Sequence, residues 1–130
     1  MKHVATALAL LGALFIGYVG LNYLLGPEAA AAGFGLPQPP SGDAGGYFAV
    51  KGVRDIGQGL VIVALLLAGQ RRALGWAMLA MSFVPLGDMT IVLSHGGPAA
   101  AAVGIHGATA LLVILTSALL LRTSRPSAAA

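Results

Sequence analysis

Four long runs of apolar residues leave this chain few ways to fold. They are Val4 to Leu25, about Tyr47 to Gly69, Ala73 to Leu93, and Pro98 to Leu121. A helix that crosses a bilayer needs roughly 20 predominantly apolar residues, and each run is long enough. Within lipid the backbone must satisfy its own hydrogen bonds, which only helices and closed barrels achieve. The runs are too long and unbroken for barrel strands, so the sequence predicts helices. Composition agrees: 58% of the 130 residues are hydrophobic and 8% are charged, against about 45–50% and about 25% in a soluble domain.

The connections predict the arrangement. Gln70–Arg72 joins the second run to the third, and Ser94–Gly97 joins the third to the fourth. Links this short place successive helices side by side and antiparallel. The fold class expected is therefore all-α: a single integral-membrane domain, residues 1–130, built as a four-helix antiparallel bundle. The first run rivals a signal peptide, with Lys2 ahead of it and small residues after it. Its apolar stretch exceeds the roughly 7–15 residues of such a peptide, which favours a retained helix.

Charge sets the orientation. Lys2, Arg71, Arg72, Arg122 and Arg125 fall at one set of helix ends, and Glu28 and Asp43 lie in the loop at the other. Basic loops stay in the cytoplasm, so both termini are expected inside an inner (plasma) membrane crossed several times. The same asymmetry accounts for the net charge of +3 without a nucleic-acid partner. The first outer loop is divided. Pro27, Glu28 and four alanines begin a helix that Gly33 and Gly35 stop, predicting a short interfacial helix. "LPQPPSGDAGG" then reads as an extended link, with Ser41 or Asp43 as candidate caps of the next helix. Small residues at helical spacing mark candidate helix contacts: Ala13 and Gly17, Ala73 and Ala77, and Ala100, Gly104 and Ala108.

Few residues carry chemistry. The chain has no cysteine, which excludes disulfides, thiolate metal sites and thiol nucleophiles. "VKGVRDIGQG" puts Lys51, Arg54, Asp55 and Gln58 within about one 100° arc of the second helix. On the third helix Asp88 follows Pro85, whose missing N–H frees the Met81 carbonyl and predicts a kink. His106 lies on the fourth helix, and Tyr18 and Asn22 adjoin on the first. At 1.5 Å per residue, Arg54 sits ~10 Å, Asp88 ~8 Å and His106 ~12 Å below the outer helix ends. All of these groups therefore converge in the outer half.

An intramembrane charge is a functional hypothesis with a partner to be named. Arg54 is expected to pair with Asp88 across helices, Lys51 to reach the outer headgroups, and Asp55 to profit from the positive end of its helix. Two function classes follow. In the first, a structural or accessory protein uses the cluster to hold the bundle or a homo-oligomer together. In the second, Arg54, Asp55, Asp88 and His106 form a catalytic cluster, with Tyr18, Asn22, Lys51 and Gln58 binding ligand. That cluster binds, isomerises or cyclises a small lipophilic, isoprenoid- or quinone-like molecule. Proton-coupled transport by an oligomer ranks third, because the inner half offers no polar path. No cofactor motif is present. His95, His106 and Asp88 lack dense ligand spacing, so no metal is expected. The partners expected are the lipid bilayer and, in the second class, the lipophile.

Taken in order, "LLGPEAAAAGFGLP", "KGVRDIGQG", "VPLGDMTIVL" and "IHGATALL" resemble the small integral membrane proteins grouped as domain of unknown function 4267. The resemblance runs from about Gly12 to Arg122. Its most specific element, glycine-x-arginine-aspartate, falls on Gly52, Arg54 and Asp55. The Gly-Asp of the third helix falls on Gly87 and Asp88, and the His-Gly of the fourth on His106 and Gly107. The resemblance implies a four-helix membrane bundle and no established activity.

Overall fold

The computed structural model describes residues 1–124. They are all-α, with no strand among them. Helix α1 spans Lys2–Leu25 and stops at Gly26. Pro27 then opens α2, Pro27–Phe34, where its missing N–H costs nothing. Gly35 ends α2 with φ +100°, a left-handed conformation that suits glycine.

A short 3₁₀ turn, Gly42–Gly45, leads into α3, Gly46–Leu67. Neither Ser41 nor Asp43 caps α3 through its side chain. The 3₁₀ turn feeds straight into the helix, and the Gly46 N–H donates to the backbone carbonyls of Asp43 and Ala44.

The third apolar run forms α4, Arg71–Met81, and α5, Phe83–Ser94, divided at Ser82. Pro85 cannot donate to the Met81 carbonyl, and its ring crowds that carbonyl, so the helix breaks one turn ahead of it. Ser82 is buried at the break and donates its hydroxyl to the Leu79 carbonyl at 2.7 Å. The fourth run starts with a single turn, α6, Ala99–Ala101. It widens into a π-helical segment, Ala102–Gly107, and continues as α7, Ala108–Thr123.

Three helical stretches are long and apolar enough to cross a membrane: Lys2–Leu25, Arg71–Ser94 (α4 and α5 taken together) and Ala99–Thr123. Helix α3 has 22 residues, but Lys51, Arg54 and Asp55 set it apart from those three.

Glycines fix the closest packing. Helix α3 runs antiparallel along α1. A Cβ on Gly52 would stand 2.7 Å from the Gly20 carbonyl, and one on Gly59 2.9 Å from the Ala13 carbonyl. Helix α4 packs on α7, where the Ser117 hydroxyl donates to the Gly75 carbonyl at 2.7 Å. Away from α2 the helix ends close on a dry core of Ala5, Ala9, Ala13, Ile62, Leu74, Met78 and Leu120. Arg71 ties that end together, donating to the Thr6 hydroxyl at 2.6 Å and the Lys2 carbonyl at 3.1 Å.

The expected small-residue contacts are only partly present. Ala13 is buried, but Ala73, Ala100, Gly104 and Ala108 are not. The buried stripe of the fourth run is Ala102, His106 and Ala110. Both stripes have the same four-residue spacing, and only contact with the neighbouring helices selects between them.

Candidate functional site

Toward α2 the helices part and enclose a cavity of about 830 Å³. Its walls are mostly apolar. The deep end is formed by Leu8, Ile62, Met78 and Thr116. Ala29, Ala30, Gly33 and Phe34 from α2 lie across the other end. Phe15 and Tyr18 on α1 and Leu112 on α7 line the cavity yet are 50%, 65% and 51% exposed. The wall is therefore open between α1 and the fourth helix.

The polar groups gather at the α2 end. Lys51, Asp55 and Gln58 come from α3, Asp88 from α5, His106 from the π segment, and Tyr18 and Asn22 from α1. The cavity thus brings together every residue expected to act in catalysis or ligand binding except Arg54. The Lys51 ammonium donates to Asp55 at 2.9 Å, four residues along the same helix. It also lies 5.2 Å from the centre of the Tyr23 ring and 5.6 Å from that of Phe34, a cation–π arrangement. Asp55 is only 2% exposed; a buried carboxylate requires such a partner.

His106 joins the second group. Its Nε2–H donates to the Phe34 backbone carbonyl at 2.9 Å, which fixes where the ring carries that proton. The ring packs on Phe34 with centroids 4.6 Å apart. Its Nδ1 faces an Asp88 oxygen at 3.8 Å, beyond hydrogen-bond length. A π turn is a frequent mark of a functional position, and Gly107 lets this one approach α5. A Cβ there would stand 3.1 Å from the Met89 sulfur. The Asn22 amide donates to the Tyr18 carbonyl at 2.7 Å.

The expected pair of Arg54 and Asp88 does not form. Arg54 is exposed; among the described residues the acids are met by Lys51, which pairs with Asp55, and by His106, whose ring approaches Asp88. At 3.6 residues per turn, Arg54 lies about 160° around α3 from Gly52. Because Gly52 is pressed against α1, the cavity receives Lys51, Asp55 and Gln58 and leaves Arg54 outside. Lys51 is also corrected: it turns inward to Asp55 rather than outward to headgroups. Asp55 is not merely placed near a helix end; it is the most deeply buried of the charged residues described.

Two contributors went unmarked in the sequence. Tyr23 adjoins Asn22 and is 4% exposed, and its position beside a polar neighbour near the helix end was the one available signal. Phe34 lies in a loop helix whose docking no local pattern reveals. Among the described residues no group of histidines and acids is arranged to hold a metal ion.

No curated protein and no solved structure matches this chain. The sequence pattern of a family described as a domain of unknown function, DUF4267, matches residues 13–120. That stretch contains α2, α3 and every polar group of the cavity, and the chain belongs to the DUF4267 family.

Proposed function

We propose that this is a small membrane protein that binds a lipophilic molecule taken laterally from the bilayer. In this reading α1, α3, α4–α5 and α6–α7 form an antiparallel four-helix bundle with α2 at the outer interface. The arginine-rich end and both termini face the cytoplasm, as the positive-inside rule requires. The charges of α3 are compatible with a span because Lys51 and Asp55 neutralise each other inside the protein.

The observation that carries the reading is the cavity of about 830 Å³. Small-molecule sites are typically about 300–1,000 Å³, mostly apolar, with a few convergent polar groups. The purely structural alternative has less support. The Lys51–Asp55 ion pair lies within α3 and bridges no two helices, and Arg54 forms no ion pair among the described residues to clamp the bundle.

The test is retention of lipophile through purification, read by native mass spectrometry. Gly104 lines the cavity, and a Cβ there would meet nothing within 4 Å. Gly104→Leu should fill the space, lower the bound fraction about tenfold or more, and leave the melting temperature unchanged or higher, since glycine weakens a helix by roughly 1 kcal/mol. Wild-type protein that carries nothing and takes up no added lipophile would refute the reading.

A further inference from the structure

We propose that the cavity prefers a lipophile headed by a protonated amine, with Asp88 as its counter-ion. This rests on the lipophile-binding reading and assigns the chemistry of the ligand's polar end.

Four ionisable side chains dominate the polar end of the cavity: Lys51, Asp55, Asp88 and His106. Lys51 and Asp55 are committed to each other at 2.9 Å, and the ammonium is further held over the rings of Tyr23 and Phe34. That pair contributes no net charge. The basic group within 4 Å of Asp88 among the described residues is His106, whose Nδ1 stands 3.8 Å from its carboxylate oxygen.

His106 has already placed a proton on Nε2, which donates to the Phe34 carbonyl. In the neutral ring Nδ1 is then a lone pair facing a carboxylate. In that state two acceptors face each other at the polar end of an apolar cavity. A primary ammonium matches this pair in chemistry and charge. One N–H reaches Asp88, a second reaches Nδ1, and its positive charge balances the carboxylate. Its hydrocarbon body extends toward Met78 and Thr116. Arg54, expected from the sequence to belong to this cluster, is exposed and lies outside the cavity. With Arg54 outside, the cavity holds no cation left over for an anionic head.

The test compares dodecylamine, N,N-dimethyldodecylamine, dodecanol and dodecanoic acid on the full-length protein in detergent, with adducts counted by native mass spectrometry. Dodecylamine should bind about tenfold or more tightly than dodecanol, as expected for hydrogen bonds to a charged group. The tertiary amine, with one N–H, should fall between them, and the acid should bind least. Asp88→Asn should remove the amine's advantage and leave dodecanol unaffected. Equal binding of amine and alcohol to the wild type would overturn the inference. It would mean that an imidazolium or a bridging water already supplies the proton, and it would leave the lipophile reading intact. Adducts with none of the four would overturn both. The wild-type comparison decides the matter even if the variant does not fold.

Discussion

Gly20 and Gly52 place the α1 and α3 backbones so close that a single methyl group would collide with a carbonyl. This contact also orients the polar arc of α3, and so decides which of its charges enter the cavity. Gly57, on the same helix, is different: a Cβ there would meet nothing within 4 Å. Gly52→Ala should therefore destabilise the protein by about 1–3 kcal/mol through overpacking. Gly57→Ala should be neutral or stabilise it by up to ~1 kcal/mol through helix propensity. Thermal or denaturant unfolding of the two variants beside wild type checks this. Equal effects would mean that the glycine contact does not set the α1–α3 distance. The same rotation explains why the adjacent arginine and aspartate of the motif have different fates. Neighbours on a helix point about 100° apart, so a wall that buries Asp55 need not receive Arg54.

Helix α2 is the element that completes the site. It is eight residues long, too short to be stable alone in water, and it is held by what it docks on. Ala31 is buried beneath it, the Phe34 carbonyl accepts from His106, and the Phe34 ring packs on the imidazole. Gly35 ends it at φ +100°, and a Cβ there would stand 3.0 Å from that of Ala101. Gly35→Ala should loosen α2 by about 1–2 kcal/mol, the cost of a left-handed alanine. Hydrogen exchange should show the α2 amides exchanging about five- to thirtyfold faster, the factor that such a free-energy change sets, with α1 and α3 unchanged. Unaltered protection in α2 would count against this account of its docking. The break at Ser82 belongs to this scale too. Pro85 made a kink in the third run legible in advance, because its chemistry acts on the same helix. Nothing comparable announced the π turn around His106, where no proline marks the change of hydrogen-bond spacing.

Across the described residues, the acids are confined to one side of the molecule. Glu28, Asp43, Asp55 and Asp88 lie toward α2 together with Lys51 and Arg54, and the charges at the end away from α2 are the basic Lys2, Arg71, Arg72 and Arg122. The absence of cysteine makes orientation simple to test. Ser41→Cys, in the α2-side link, should react with an impermeant thiol reagent added to intact cells. A fluorescent protein fused after Ala130 should fold and fluoresce in the cytoplasm. Labelling of Ser41→Cys only after cell lysis would reverse the proposed orientation.

Apolar run length, the proline and glycine stops, and the end-to-end charge asymmetry are local or additive properties. An all-helical chain, the helix between Pro27 and Phe34, and family membership are therefore legible in residue order alone. Residue order also showed that the polar residues sit near one set of helix ends, because depth along a helix follows from counting residues. Which side of each helix meets which neighbour depends on contacts between residues far apart in the chain. Only the tertiary structure could decide that Gly52 meets Gly20, that Asp88 faces His106 rather than Arg54, and that Phe34 reaches both the lysine and the histidine. A helical arc fixes the relative angles of its side chains but not its rotation about its own axis, and that rotation is set by packing.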